Sequence, residues 1–116
     1  MTERLGNFAL VLHTHLPYVL RHGRWPHGTE WLCEAAVSCY LPILDLFERL
    51  LGEGLAPRAT VNISPVLAEQ LAHEEFRSEM GRFLEQRARA CAEDRANFSR
   101  AGHAAGVELA EFWRET

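Results

Sequence analysis

Only two segments of this chain read as β-strand, and a stretch that reads as helix separates them. Phe8-Ala9-Leu10-Val11-Leu12 is a continuous apolar run, the pattern of a strand buried on both faces in a parallel sheet. Ala59-Thr60-Val61-Asn62-Ile63 is the second. Strands joined by a helical crossover run parallel, and a parallel sheet needs cover on both faces and neighbours on both edges. Two strands do not make such a sheet. The 116 residues therefore read as the opening of a larger α/β domain, in the order β-α-β-α-α with a last helical segment. The closing residues Phe112 to Thr116 carry no capping glycine or proline, which fits that expectation. A chain of this kind should leave an exposed apolar sheet edge and tend to associate.

Between the strands, Thr29 is the expected N-cap of a helix with Glu30 at the positive end of its dipole. Pro42 should kink or split that helix near Ser38 to Leu41, and Gly52 and Gly54 are its stop signals. Ser64 followed by Pro65 is a strong helix start. A short helix is expected from Pro65 to about His73, a longer one from about Glu74 to Phe98, and a final one carrying Val107, Ala110, Phe112 and Trp113. Trp31 and Trp113 are expected to pack.

Composition removes several function classes. At 47% hydrophobic and 24% charged, the chain has the apolar residues a disordered segment lacks. A net charge of -4 and a pI near 5.8 argue against a nucleic-acid surface. No apolar run approaches the ~20 residues of a membrane span, and no signal-like segment opens the chain. Cys33, Cys39 and Cys91 form no CxxC pair, so free thiols and a cytoplasmic location are expected.

His13 and His15 stand two apart at the end of the first strand. In extended chain such residues project to one face, roughly 6.5 to 7 Å apart. Strand C-terminal ends are where α/β and barrel folds bind ligands. Two imidazoles there can hydrogen-bond hydroxyls, hold a carboxylate or bind a metal; alternatively, one is a core histidine and the other a surface residue. A metal would need a third ligand, such as His22 or His27 from the following loop. In that loop Trp25 offers an indole face for a sugar ring, or a cover for the pocket. Arg21 and Arg24 either meet an anionic ligand or pair with nearby acids. Asn62 and Ser64 should face the same mouth, with Ser64 chiefly a helix cap. Glu69, Glu74, Glu75, Glu79 and Glu85 read as solvated helix surface, Cys39 and Cys91 as helix-face residues, and His73 and His103 show no evident partner.

FALVLHTHLPY at Phe8 to Tyr18 and, after an intervening Gly23-Arg24-Trp25-Pro26 and Tyr40-Leu41-Pro42, NISPVLAEQL at Asn62 to Leu71 resemble the opening of glycoside hydrolase family 57. The bacterial 1,4-α-glucan branching enzymes of that family are most similar. The resemblance implies the N-terminal β-α-β-α-α portion of an incomplete (β/α)7 barrel over residues 1–116. It further implies retaining transfer of α-glucan, with no cofactor or metal. His13 and His15 match the family's first motif and would line the sugar subsite beside the scissile bond; Trp25 would flank the groove. The nucleophilic Glu and the acid/base Asp would lie beyond position 116, in a missing C-terminal part, leaving this chain inactive alone. An α-amylase or 4-α-glucanotransferase of the same family, a metal-dependent hydrolase or deacetylase using the two histidines, and a non-catalytic carbohydrate-binding or interaction protein are the alternatives.

Overall fold

The computed structural model describes residues 6–115. The chain divides into two compact units, one up to Phe76 and the other from Arg77 onward.

In the first unit, β1 (Leu10–Thr14) pairs parallel with β2 (Ala59–Ile63), Leu10 opposite Ala59 and Thr14 opposite Ile63. A further bond from Ser64 N to Thr14 O, 3.0 Å, carries the ladder to the start of the next helix. β1 thus begins two residues later than its apolar run suggests and reaches past His13. Leu12, Thr14, Val61 and Ile63 face a cavity of about 270 Å³ whose far wall includes Ile43, Leu44 and Phe47. Alternation puts Val11 and His13 on the other face, and Val11 is 62% exposed. The expectation of burial on both faces is therefore not met. These two strands have cover on one face only, and Phe8, before β1, is also exposed.

The crossover is helical throughout but not uniformly α. α1 (Thr29–Ala35) passes into a π-helical turn, Ala36–Tyr40, and then into α2 (Leu41–Gly52). Pro42 has no N–H to return to Ser38, so the regular i→i−4 ladder cannot continue there. The N–H of Leu41 bonds instead to Ala36 O, five residues back, which is how a widened turn absorbs the break. Helix α2 stops as its glycines suggest: Gly54 takes φ +76° while its N–H bonds Leu51 O.

α1 lacks the expected side-chain cap. Its N-cap is Gly28, and Thr29 is the first helical residue. The carbonyls of the preceding loop do the capping: Gly23 O accepts from Thr29 N at 3.0 Å and Arg24 O from Glu30 N at 3.1 Å. The loop lies so tightly on the helix start that a Cβ at Gly28 would overlap the Gly23 carbonyl.

α3 (Pro65–Ala72) starts as its sequence dictates, with Ser64 Oγ accepting from Leu67 N at 3.3 Å. The core of this unit lies against α3 rather than on the sheet. Leu16, Val19, Leu20, Leu32 and Leu67 form one buried cluster, with Ala35, Tyr40, Leu71 and Phe76 against it. Leu16 to Leu20 is irregular chain, and its buried polar groups are met by Gln70, which is 0% exposed. Gln70 Oε1 accepts from Val19 N at 2.7 Å and Nε2 donates to Pro17 O at 3.1 Å. An unmatched amide at this depth would cost about 1–3 kcal/mol.

α4 (Glu74–Arg100) runs on into the second unit, where α5 (Ala104–Glu115) follows a turn at Gly102, φ +67°. Arg95 Nε reaches Glu111 at 2.7 Å to tie the two helices. Both histidines expected to lack partners are helix caps: His73 Nδ1 accepts from Glu75 N at 3.1 Å, and His103 Nδ1 from Gly106 N at 2.9 Å. Gly106 sits directly under the Phe98 ring. Trp113 is 61% exposed and Trp31 also reaches solvent, so each meets a neighbouring ring but neither is buried in a core as its helical spacing suggests.

Candidate functional site

The strand ends gather the residues with chemistry. His13 occupies the penultimate position of β1, opposite Asn62 in β2. Thr14 turns to the cavity face, and its Oγ1 donates to Asn62 O at 2.9 Å. His15 lies one residue past the strand, where Nδ1 stands 3.0 Å from Ser64 Oγ. Ser64 is thus both the cap of α3 and a contact of His15. Both imidazoles are exposed and face solvent at the C-terminal end of the ladder.

Two sequence segments far apart in the chain meet here. HTHLPY, with the Val19 that follows it, leaves β1 and is held at His15 by Ser64, then at Pro17 and Val19 by Gln70. Ser64 and Gln70 both belong to SPVLAEQL, one as its cap and one on its buried face. The segment that shapes the strand mouth is therefore fastened at three points to one helix.

The arginines of the following loop are committed to acids. Arg21 Nε meets Glu75 Oε2 at 2.7 Å, and Arg24 reaches Glu30 at 3.7 Å. The hydrogen bond and charge of Glu75 hold the Arg21 guanidinium above its ordinary value. Glu75 and Glu79 are consequently ion-pair members, Glu79 with Arg82 at 3.0 Å, rather than simply solvated surface. Exposed pairs of this sort add little to stability. His27 packs edge-on against Trp31, 5.4 Å between centroids, an arrangement that aims it at a neighbouring ring. Trp25 is 78% exposed on the same loop. Among the described residues no three of His, Cys, Asp or Glu come together as a metal cluster, so the two histidines gain no third ligand from the loop.

No protein-family model matches the chain. Over 89 residues it is 44% identical to a 1,4-alpha-glucan branching enzyme of Thermococcus kodakarensis, covering 77% of this chain and 13% of that protein. A Mycobacterium tuberculosis protein described as a probable 1,4-alpha-glucan branching enzyme is 46% identical over 66 residues, 57% of this chain and 12% of its own length. The crystal structure of a GH57-type branching enzyme from Pyrococcus horikoshii superposes with a TM-score of 0.75 at 33% identity, over 92% of this chain and 22% of that one. The chain is homologous to the GH57 1,4-α-glucan branching enzymes.

The chain spans about an eighth of the length of the curated branching enzymes it matches and about a fifth of the solved one. Its two parallel strands and their helices match part of a GH57 fold. Among the described residues no helix is long and apolar enough to cross a membrane. Sequence reasoning missed the role of Gln70. A glutamine on the apolar side of a helix, three residues after Leu67, is the signal that could have found it.

Proposed function

We propose that this chain is part of a GH57-type 1,4-α-glucan branching enzyme and forms one wall of its glucan site. The junction of the two motifs carries this reading: His15 at the end of β1 rests on Ser64 at the start of α3. His13 and His15 then line the sugar subsite next to the scissile bond, and Trp25 flanks the groove. Imidazole nitrogens suit sugar hydroxyls because each ring offers one donor and one acceptor. An exposed indole suits the apolar face of a pyranose.

The reaction in this reading is retaining transfer. One carboxylate attacks the anomeric carbon while a second protonates the departing glycosidic oxygen, the two standing about 5 to 5.5 Å apart. The glycosyl group then passes to the 6-hydroxyl of another glucan chain. The nucleophilic Glu and the acid/base Asp belong to the C-terminal part beyond position 116, which is this chain's partner together with the α-glucan. The residues described here bind and orient the sugar without breaking a bond, and a cytoplasmic enzyme of glycogen-like glucan synthesis is the setting. Incubating the purified chain with amylose tests the assignment. The expected result is an unchanged iodine stain and no new α-1,6 linkages. Branches formed by this chain alone would place catalytic carboxylates within it and overturn the reading.

A further inference from the structure

The contact between His15 and Ser64 settles more than the position of a ring. Ser64 Oγ accepts the N–H of Leu67 at 3.3 Å and stands 3.0 Å from His15 Nδ1. A serine hydroxyl carries one proton and two lone pairs. One lone pair is taken by the helix cap. If the hydroxyl proton goes to Nδ1, all three groups are satisfied without a further partner. If Nδ1 carried the proton instead, the hydroxyl would hold two donors and need another acceptor for its own proton, and among the described residues Ser64 Oγ has no hydrogen bond besides these two. The same ring nitrogen accepts elsewhere in the chain. His73 and His103 each take a backbone N–H on Nδ1, from Glu75 and Gly106. An imidazole whose Nδ1 accepts must, when neutral, carry its proton on Nε2.

We infer that Ser64 is a positioning residue that fixes His15 as the Nε2–H tautomer, so that His15 presents a hydrogen-bond donor at the strand mouth. The group it meets is then an acceptor: a sugar hydroxyl or ring oxygen, with its lone pair toward the ring. A neutral Nε2–H imidazole with Nδ1 already engaged offers no lone pair to a metal ion. The identity of the ligand as a glucan rests on the function proposed above; the tautomer does not.

Long-range ¹H–¹⁵N correlation spectra of the labelled full chain, at a pH where its imidazoles are neutral, read the tautomer of His15 directly. The wild type should show an unprotonated Nδ1 and a protonated Nε2. Ser64→Thr, which keeps both cap and hydroxyl, should show the same. Ser64→Asp also caps a helix, but its carboxylate accepts where the hydroxyl donated, so it should move the proton to Nδ1. The cap and fold survive in that variant, which separates positioning from a structural role. Maltoheptaose affinity should then fall about tenfold in Ser64→Asp, the scale of one misdirected hydrogen bond, and hold in Ser64→Thr. A protonated Nδ1 in the wild type, or no change of tautomer in Ser64→Asp, overturns the inference whatever the sugar does. The predicted tautomers with no maltoheptaose response in the wild type uphold the role of Ser64 and count against the glucan reading.

Discussion

The two strands of the first unit bury none of their residues, whereas the irregular segment after β1 supplies three of the five residues of the core cluster. β1 and β2 pair over five residues each, yet Val11 and Ile63 remain more than half exposed. Leu16 to Leu20 belongs to no strand or helix, yet Leu20 is 0% exposed and Val19 nearly so. The difference lies in what satisfies the backbone. A ladder meets its own hydrogen bonds but needs further elements to cover its faces. Irregular chain can be buried only where something else meets its polar groups, and here Gln70 does so. An apolar strand pattern states a demand for burial; a buried glutamine supplies one.

That contrast can be broken from either side. Leu20→Ala should have the largest effect, about 2–5 kcal/mol lost in urea unfolding, because a fully buried leucine leaves a cavity. Gln70→Ala should follow at about 1–3 kcal/mol, since Val19 N and Pro17 O lose their partner inside the core. Gly28→Ala should destabilise as well, because its Cβ meets the Gly23 carbonyl and the loop cannot keep both its capping bonds and its path. Its sign is read from the same unfolding midpoint. On the sheet, Val11→Thr should change stability by no more than about 0.5 kcal/mol, while light scattering should show less self-association. A Val11 effect as large as that of Leu20 would mean the outer face is covered.

A smaller effect concerns Tyr40, on the cavity wall. Burial first, and the charge of Cys39 second, raise its phenol above the usual 10.0. The folded chain then holds this proton longer than the unfolded one. Its contribution to stability is complete below pH 10.0 and is lost as pH rises through the folded value. The chain has two tyrosines, so ultraviolet titration of Tyr18→Phe reads Tyr40 alone. A midpoint above 10.0 is expected, and one at or below it would contradict the partial burial of this ring.

Much of this was legible in the sequence, for reasons that can be named. β2 falls on Ala59–Ile63 because its β-prone run is closed by Ser64-Pro65, a helix start. The split before Pro42 follows from a missing N–H, though not its resolution as a π turn. The cap of α1 was not legible. Thr29 has the right chemistry, but the carbonyls of Gly23 and Arg24 reach the helix start first, and loop geometry is not written in composition. The histidine caps escaped for the same reason, since Nδ1 accepts a backbone N–H only once a turn has placed it. At the site, His13 and His15 stood out by their spacing. The link of His15 to Ser64, and of Pro17 and Val19 to Gln70, spans about fifty residues of chain, which local pattern does not carry.

The account turns on His13 and His15 facing a glucan. Titration of the full chain with maltoheptaose, followed through the imidazole resonances and repeated on His13→Ala, measures this directly. His13 is exposed, so its removal should leave the unfolding midpoint within about 0.5 kcal/mol. The account predicts saturable shifts at both rings in the wild type and about a tenfold weaker affinity in His13→Ala. Equal affinity in the two chains, or shifts confined to residues away from the strand ends, would contradict it.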